Sequence, residues 1–512
     1  MIQAVDDGRP TTQGLRLDEL ARELPGINEI AGDAAVRVGG VRHDSRAVRA
    51  GDLFVARKGE RVDGARFVED AVSRGASAVM TARGAVDAAR LSVPVLYVED
   101  PTRALAYAAS AVYGHPSFSL EVVGITGTNG KTTTSHLVRA AVDWALGAPH
   151  CGVLGTVGHF FGDWRVEAGH TTPEADDLAR AMAEMQARGA THAAMEVSSH
   201  ALELGRVRAV RFRVAALTNL TQDHLDFHRS MAEYAAAKAR LFTELGPGSA
   251  VLNVDDPFGR ELVGRARAPT VRVSARPGTD AEIVVRDARV DAGGIHATVR
   301  TPHGDVRIDS RLVGAHNLEN LLVALGVACA LELDLWRAAD ALSREGGAPG
   351  RLERCDTPAD DVTVLVDYAH TPDALARVLD AVRAVGARRI VCVFGCGGDR
   401  DPTKRGPMGD AVARRADVAV VTSDNPRTED PRSIAEAVIA GVRGAGGEPI
   451  VELDRRKAID LAVRSASAGD VVVLAGKGHE DYQVVGTVKH PFDDRIEARR
   501  ALAERRRARG GA

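Results

Sequence analysis

An apolar run, Val122-Val-Gly-Ile125, passes into Thr126-Gly-Thr-Asn-Gly130-Lys131-Thr132-Thr133 and then into a helix-like segment. This junction constrains the chain more than any other. A buried strand that ends in a glycine-rich turn and restarts as a helix belongs in an α/β layer. Such a turn aims backbone N–H groups and a helix N-terminus at phosphates. The lysine reaches the outer phosphates, and the hydroxyl that follows it is placed to ligate Mg²⁺. The spacing departs from the common phosphate loop, because Ile125 stands where the first glycine would be.

At 512 residues the chain exceeds one ordinary core, so several domains are expected. The apolar share of 45% and charged share of 27% are those of a soluble globular protein. A formal charge of −4 gives no support for a nucleic-acid or membrane partner, so anionic ligands must be held by local basic groups. The five cysteines (151, 329, 355, 392, 396) form no CxxC pair or zinc-type spacing and read as reduced thiols. Met1 to Asp7 has neither a basic nor an apolar signal region, and the apolar run Leu321 to Leu331 is too short to span a bilayer. A cytoplasmic protein with small-molecule partners is expected. The arginine-rich tail from Arg499 to Arg509 reads as a solvated terminal helix.

The expected architecture is α/β with three domains. A small α/β domain spans 1–112, a P-loop-type ATPase domain with a mostly parallel sheet spans 113–350, and a Rossmann-like domain spans 351–512. In the first, 52–56 and 76–80 read as strands around an amphipathic 65–73. A break at 113–117 and a Gly/Pro stretch at 346–350 separate the segments. In the third, apolar runs at 362–366, 390–394, 418–421 and 471–475 each end in a polar turn. Thr371-Pro372 supplies an N-cap and a first-turn proline for one intervening helix. That alternation predicts a doubly wound sheet, whose ligands bind beyond the carboxyl strand ends. Those ends carry Asp367 to His370, Gly395 to Arg400, Asp424 to Arg427 and Gly476 to Glu480.

Ser230 to Leu245 predicts a helix, opened by a Ser230/Glu233 capping box and striped by Met231, Tyr234, Leu241 and Leu245. Lys238 falls within that stripe. It either snorkels outward or loses its hydration, which lowers its pKa and leaves a neutral amine. A neutral amine near Mg²⁺ can capture carbon dioxide as a carbamate, becoming a metal-binding carboxylate. Glu196, at the end of the strand-like Ala193 to Val197, needs a partner or a metal if buried. Thr218-Asn219 and Asp223-His224 end another apolar run, His224 reading as ligand, cap or core histidine.

Taken together, these motifs resemble the Mur ligase family, ATP-dependent amino-acid-adding enzymes of peptidoglycan synthesis. The match runs through Thr126 to Thr132, Glu196 to His200, Thr218-Asn219, Asp223-His224, Tyr234 to Lys238, Gly314 to Asn320 and Pro349 to Arg351. The Asp424-Asn425-Pro426-Arg427 turn resembles that of members taking meso-diaminopimelate. A guanidinium there can grip the distal carboxylate that lysine lacks, through two hydrogen bonds.

The resemblance implies the remaining roles. Thr126 through Thr133 with Asn317, Arg351, His370 and Asp367 would face ATP. Lys131, Lys238, Glu196 and His224 would be catalytic; Thr132 and Glu196 would hold one Mg²⁺, and His224 with Lys238 as its N6-carboxylysine a second. Ser45, Thr171, Thr172, Ser198 and Arg206 would hold a UDP-muramoyl dipeptide, the first segment adding Asp44 to Arg46 and Glu60 to Val62. Arg400, Asp424, Asn425, Pro426, Arg427, Gly476 and Glu480 would hold meso-diaminopimelate. Leu204 departs from the glutamine of some relatives. The implied reaction phosphorylates a D-glutamyl carboxylate and lets an amine displace phosphate, after closure of the domains, in a monomer. The rivals are a folylpolyglutamate synthetase-like ligase and a nucleotide-controlled binding protein.

Overall fold

The computed structural model describes residues 14–26, 28–59 and 62–510. Glu60, Arg61 and the stretch Met1–Asp7 lie outside them. The chain divides into two compact units, one of residues 1–284 with 322–338, the other of 285–321 with 339–512.

The first unit holds two sheets. In the smaller, the spatial order is Glu29–Ala31, Val95–Val98, Ala78–Ala82, Asp52–Ala56, Gly40–Arg42. All neighbours are parallel except the first pair. The expected strand at 76–80 is displaced by two residues, because Ala78, not Ala76, pairs with Leu53. The amphipathic 65–73 is a 3₁₀ turn, Gly64–Phe67, running into the helix Val68–Ser73. The helix Pro101–Val112 opens with Asp100 accepting from the Thr102 and Arg103 N–H groups. Its alanine-rich face lets it lie close on the sheet, burying Ala104, Leu105 and Ala108.

The first eight strands of the larger, 11-stranded sheet run Trp164–Val166, Gly158–Phe161, Cys151–Gly155, His192–Glu196, Glu121–Thr126, Val214–Leu217, Ser249–Asn253, Thr270–Ser274. An antiparallel edge of three strands leads into a parallel body. Register then decides the chemistry. Glu196 pairs opposite Ile125 and Leu217 opposite Thr126, so three strand ends reach the phosphate loop side by side.

In the second unit, the order is Glu353–Arg354, Thr363–Asp367, Val471–Ala475, Ile390–Phe394, Val418–Val421, Ile450–Val451. It is parallel beyond its first pair. Alternate residues feed two cores: Leu365, Cys392, Phe394, Val421 and Val473 on one face, Val364, Val366, Val391, Val393 and Val472 on the other. Burial on both faces explains the unbroken apolar runs. Each such side chain contributes roughly 1.5–3 kcal/mol. Thr371 caps the helix Pro372–Ala384 as expected, accepting from the Ala374 N–H. A hairpin, Gly294–Thr301 with Gly304–Ser310, was not foreseen from the sequence.

The terminal helix Asp494–Gly510 corrects one expectation. It is docked rather than freely solvated: Ala498, Ala501 and Leu502 are buried. Arg505 forks onto Asp361 at 2.9 and 2.8 Å, and Arg500 reaches Asp460 at 2.6 Å. The capping box at Ser230 is half present. Ser230 Oγ accepts from the Glu233 N–H at 3.2 Å, while the Ser230 N–H donates to the His228 carbonyl.

Candidate active site

The phosphate loop leaves the strand Glu121–Thr126 and restarts as the helix Lys131–Leu146. Gly127, at φ +148°, packs so tightly that a Cβ would collide with Thr218 Oγ1. The loop is latched by the next strand's end. Asn129 N–H donates to Asn219 Oδ1 at 3.0 Å, Thr218 Oγ1 donates to the Asn129 carbonyl at 2.6 Å, and Thr128 Oγ1 lies 3.2 Å from the Tyr234 hydroxyl. Two lysine nitrogens converge on one carbonyl: Lys131 Nζ and Lys238 Nζ donate to Gly127 O at 2.9 and 2.8 Å.

Lys238 is the stripe lysine of the helix Met231–Thr243, and it does not snorkel. Its exposure is 1%, and Nζ lies 4.6 Å from the centre of the Tyr234 ring. It makes no ion pair among the described residues. Burial first, and Lys131 second, push its pKa well below the ordinary lysine value.

Glu196 is 1% exposed and fully engaged. It accepts from Thr132 Oγ1 at 3.0 Å and from the Thr156 N–H at 2.7 Å. Thr156 carries no signal in the sequence beyond being a loop threonine. Thr126 Oγ1, at the end of the strand that pairs with Glu196's, is buried with no hydrogen-bond partner. A carboxylate, a hydroxyl and an orphaned hydroxyl fit a hard, oxygen-seeking cation such as Mg²⁺. His224 adopts φ +52° and is half exposed, its ring 4.9 Å from that of His200 and 6.1 Å from that of Tyr234.

Thr171, Thr172, Ser198 and Arg206 do assemble. Thr156 Oγ1 donates to Thr171 Oγ1 at 3.2 Å. Thr172 Oγ1 donates to the Glu196 carbonyl at 2.8 Å and accepts from the Ser198 N–H at 3.0 Å. Arg206 donates to the Thr172 carbonyl at 3.1 Å and pairs with Glu174 at 2.6 Å. Leu204 caps the short helix Ser199–Glu203. Ser45 opens the turn Ser45–Ala47, preceded by Asp44, whose carboxylate accepts from the Arg46 N–H. That turn is tied to the helix Ala175–Ala187, since His43 Nδ1 sits 2.8 and 2.9 Å from the two Asp176 oxygens. Burial opposes the imidazolium, yet Asp176 carries the His43 pKa above its ordinary value. Arg57 adds a second staple to Glu174 at 2.8 Å.

In the second unit, the strand ends form two groups. Arg351 lies over the Tyr368 ring at 5.3 Å, and the rings of His370 and His479 stand 4.6 and 5.1 Å from it. Asp367 accepts the Leu352 and Ala369 N–H groups at 2.8 Å each, and burial lifts its pKa. The Asn317 amide donates to the Val313 carbonyl at 2.8 Å and accepts from Asn320 at 2.9 Å. Asn317 lies in the first turn of the helix Ala315–Ala330.

The other group is the 424–427 turn. Arg427 holds φ +52°, a costly conformation for a side-chain-bearing residue. It donates to the Gly398 carbonyl at 2.7 Å, and Gly398 N–H donates to the Asn425 carbonyl at 2.9 Å. Gly398 is obligatory, because a Cβ would meet the Pro426 carbonyl. Arg400 is exposed and rests on the Asp399 carbonyl at 3.4 Å. Asp424 is buried, and burial raises its pKa against the opposing pull of Arg455 and Lys477. Asn425 Nδ2 donates to Glu480 Oε2 at 2.9 Å, and Gly476 has φ +114° beside the Asp424 carboxylate. Lys477, given no role from the sequence, lies at the centre of this group. Beneath it, Arg455 and Asp494 form a fully buried fork at 2.8 and 2.6 Å.

Among the described residues, no helix is long and apolar enough to cross a membrane. Three family models match: "Mur ligase family, catalytic domain" on 37–113, "Mur ligase middle domain" on 125–328 and "Mur ligase, glutamate ligase domain" on 350–478. A UDP-N-acetylmuramoyl-L-alanyl-D-glutamate--2,6-diaminopimelate ligase of Gloeobacter violaceus is 47% identical, covering 96% of this chain and 99% of its own. Its counterpart in Geobacter metallireducens is 46% identical with the same coverage. A solved structure of an enzyme with that name superposes with a TM-score of 0.70 at 33% identity, covering 96% of this chain and 99% of the other. With matches of this extent in sequence, family model and fold, the chain belongs to the Mur ligase family.

Proposed function

We propose that this chain is an ATP-dependent ligase that adds meso-diaminopimelate to the D-glutamyl residue of UDP-N-acetylmuramoyl-L-alanyl-D-glutamate. It would serve peptidoglycan precursor synthesis in the cytoplasm, and through it cell shape and division. One observation carries the choice of amino acid: a strained Arg427, a buried Asp424 and Glu480 converge at one strand-end turn. They offer a fork for a carboxylate and acceptors for an ammonium. Relatives 46–47% identical over nearly the whole chain carry that activity in their names.

The proposed domains are 1–112 for the uridine substrate, 113–350 for ATP and 351–512 for the amino acid, in a monomer. Lys131 and the loop N–H groups hold the β- and γ-phosphates, with Asn317, Arg351 and His370 toward the nucleotide. Thr171, Thr172, Ser198, Arg206 and Ser45 hold the muramoyl dipeptide and present its D-glutamyl carboxylate to the γ-phosphate. Transfer gives an acyl phosphate. The amine of diaminopimelate then attacks the carbonyl carbon, phosphate leaves, and an amide forms. Positioning and charge neutralisation supply most of the rate.

Thr132 and Glu196 would hold one Mg²⁺, and His224 with a carbamylated Lys238 a second; the ions neutralise phosphate charge when bound. The depressed Lys238 pKa meets the chemical requirement for carbamate formation, a neutral amine. A folylpolyglutamate synthetase reading leaves the Asp424–Arg427 turn without a purpose, and a non-catalytic reading leaves Lys238 without one.

The deciding experiment is mass spectrometry of the product from the muramoyl dipeptide, ATP and Mg²⁺, offering diaminopimelate, L-lysine, or a folate with glutamate. Tripeptide with diaminopimelate is expected, and its absence ends the proposal. Arg427→Ala should raise the KM for diaminopimelate by roughly 10- to 100-fold, the equivalent of one charge-assisted fork, while sparing that for ATP. An equal rise in both would relocate the amino-acid pocket.

A further inference from the structure

Lys477 has no exposed side-chain surface, yet its ammonium stands among acceptors that the amino acid would use. Nζ lies 3.1 Å from Glu480 Oε2, 3.2 Å from Asn425 Oδ1 and 3.6 Å from Asp424 Oδ1. Glu480 Oε2 also accepts from Asn425 Nδ2 at 2.9 Å, and Asn425 Oδ1 from the Val484 N–H at 2.9 Å. One buried cation therefore ties together three polar side chains that come from two different strand ends. Asp424 Oδ1 is buried without a hydrogen-bond partner, so the ammonium of Lys477 at 3.6 Å is the charge that faces it.

Charge at this depth is not interchangeable. Two carboxylates buried together repel strongly, and a cation between them restores balance only if it stays. The inner groups are Asp424 and Glu480, each negative, and Lys477 and Arg427, each positive, giving a sum of zero. Arg455 and Asp494 cancel beneath them at 2.6 Å. Asp399 and Arg400 are exposed at the rim and offset each other. A neutral pocket matches the non-reacting end of diaminopimelate, which carries one ammonium and one carboxylate. It mismatches the lone ammonium of lysine.

We infer that Lys477 is a specificity-determining positioning residue: by neutralising one of two acidic groups, it makes the pocket accept a zwitterionic head and discriminate against a simple cation. The inference rests on the proposed amino-acid pocket and goes beyond it, because it assigns selectivity to a residue held behind the contact groups.

The test is the ratio of kcat/KM for meso-diaminopimelate to that for L-lysine, measured on the full chain with the muramoyl dipeptide and ATP. Lys477→Met should lower the ratio about tenfold or more, the effect of one close charge pair, with KM for ATP unchanged. Lys477→Arg should keep most of the wild-type ratio. Glu480→Gln, which removes a negative charge instead, should shift the ratio the opposite way, and it serves where Lys477→Met fails to give a cooperative melt. An unchanged ratio in a folded Lys477→Met or Glu480→Gln protein overturns this inference alone. Wild type that joins neither amino acid overturns the underlying pocket and this inference with it.

Discussion

Lys238 and Lys477 are equally buried, at 1% and 0% exposure, and live in opposite company. Lys238 faces a carbonyl oxygen, an aromatic ring and a second lysine. Lys477 faces two carboxylates and an amide. Burial withdraws hydration from both. What the neighbours return differs: dipoles and a like charge in one case, opposite charges in the other. Depth alone therefore does not set a lysine's chemistry. The first is suited to act as an amine, the second as a fixed cation.

The largest expected effect breaks the amine half of that comparison. Lys238→Ala should lower kcat by at least 10²–10³-fold, the scale of losing one preorganised charged contact to a transferring group. Short carboxylic acids should restore part of it. A variant with full activity removes the carbamate reading, as does wild type whose ¹³C NMR spectrum shows no carbamate resonance with labelled bicarbonate.

Stability sharpens the same contrast. Lys477→Met should cost about 3 kcal/mol in urea unfolding, because it removes the cation between the buried Asp424 and the partly buried Glu480. Lys238→Met should cost far less, since it deletes a desolvated amine and keeps the packing volume. Equal losses would mean that the two environments do not differ as their contacts indicate.

The smallest effect concerns a partly buried imidazole on a buried carboxylate, His43 on Asp176. Its folded pKa is raised, so the stability it lends is complete below the ordinary imidazole value of about 6.5 and is lost as pH rises through the folded value. Thermal melts of wild type should show this decline, and His43→Ala should flatten it. A slope that survives the substitution would assign the titration elsewhere.

Much of this was legible before the fold. The strand, glycine turn and helix around Lys131 follow from local chemistry, as do the four apolar runs of the second unit. Each is a consequence of neighbours along the chain. The misses share a cause. Thr156, Lys477 and the Arg455–Asp494 fork carry no periodic signal that assigns them a role, and each has a decisive partner 39 to 52 positions away. The terminal helix looked solvated because its arginines face acids, such as Asp361, that lie 144 positions away.

By itself the sequence determined the α/β layering, the phosphate turn, the strand-end placement of the polar motifs and the stripe that carries Lys238. Those rest on periodicity and backbone chemistry, which act within a few residues. Only the tertiary structure decided that Lys238 is desolvated beside Gly127 and that Lys477 is enclosed by acids. Charge state in a protein interior depends on every group within a few ångströms, and the chain brings those groups together only by folding.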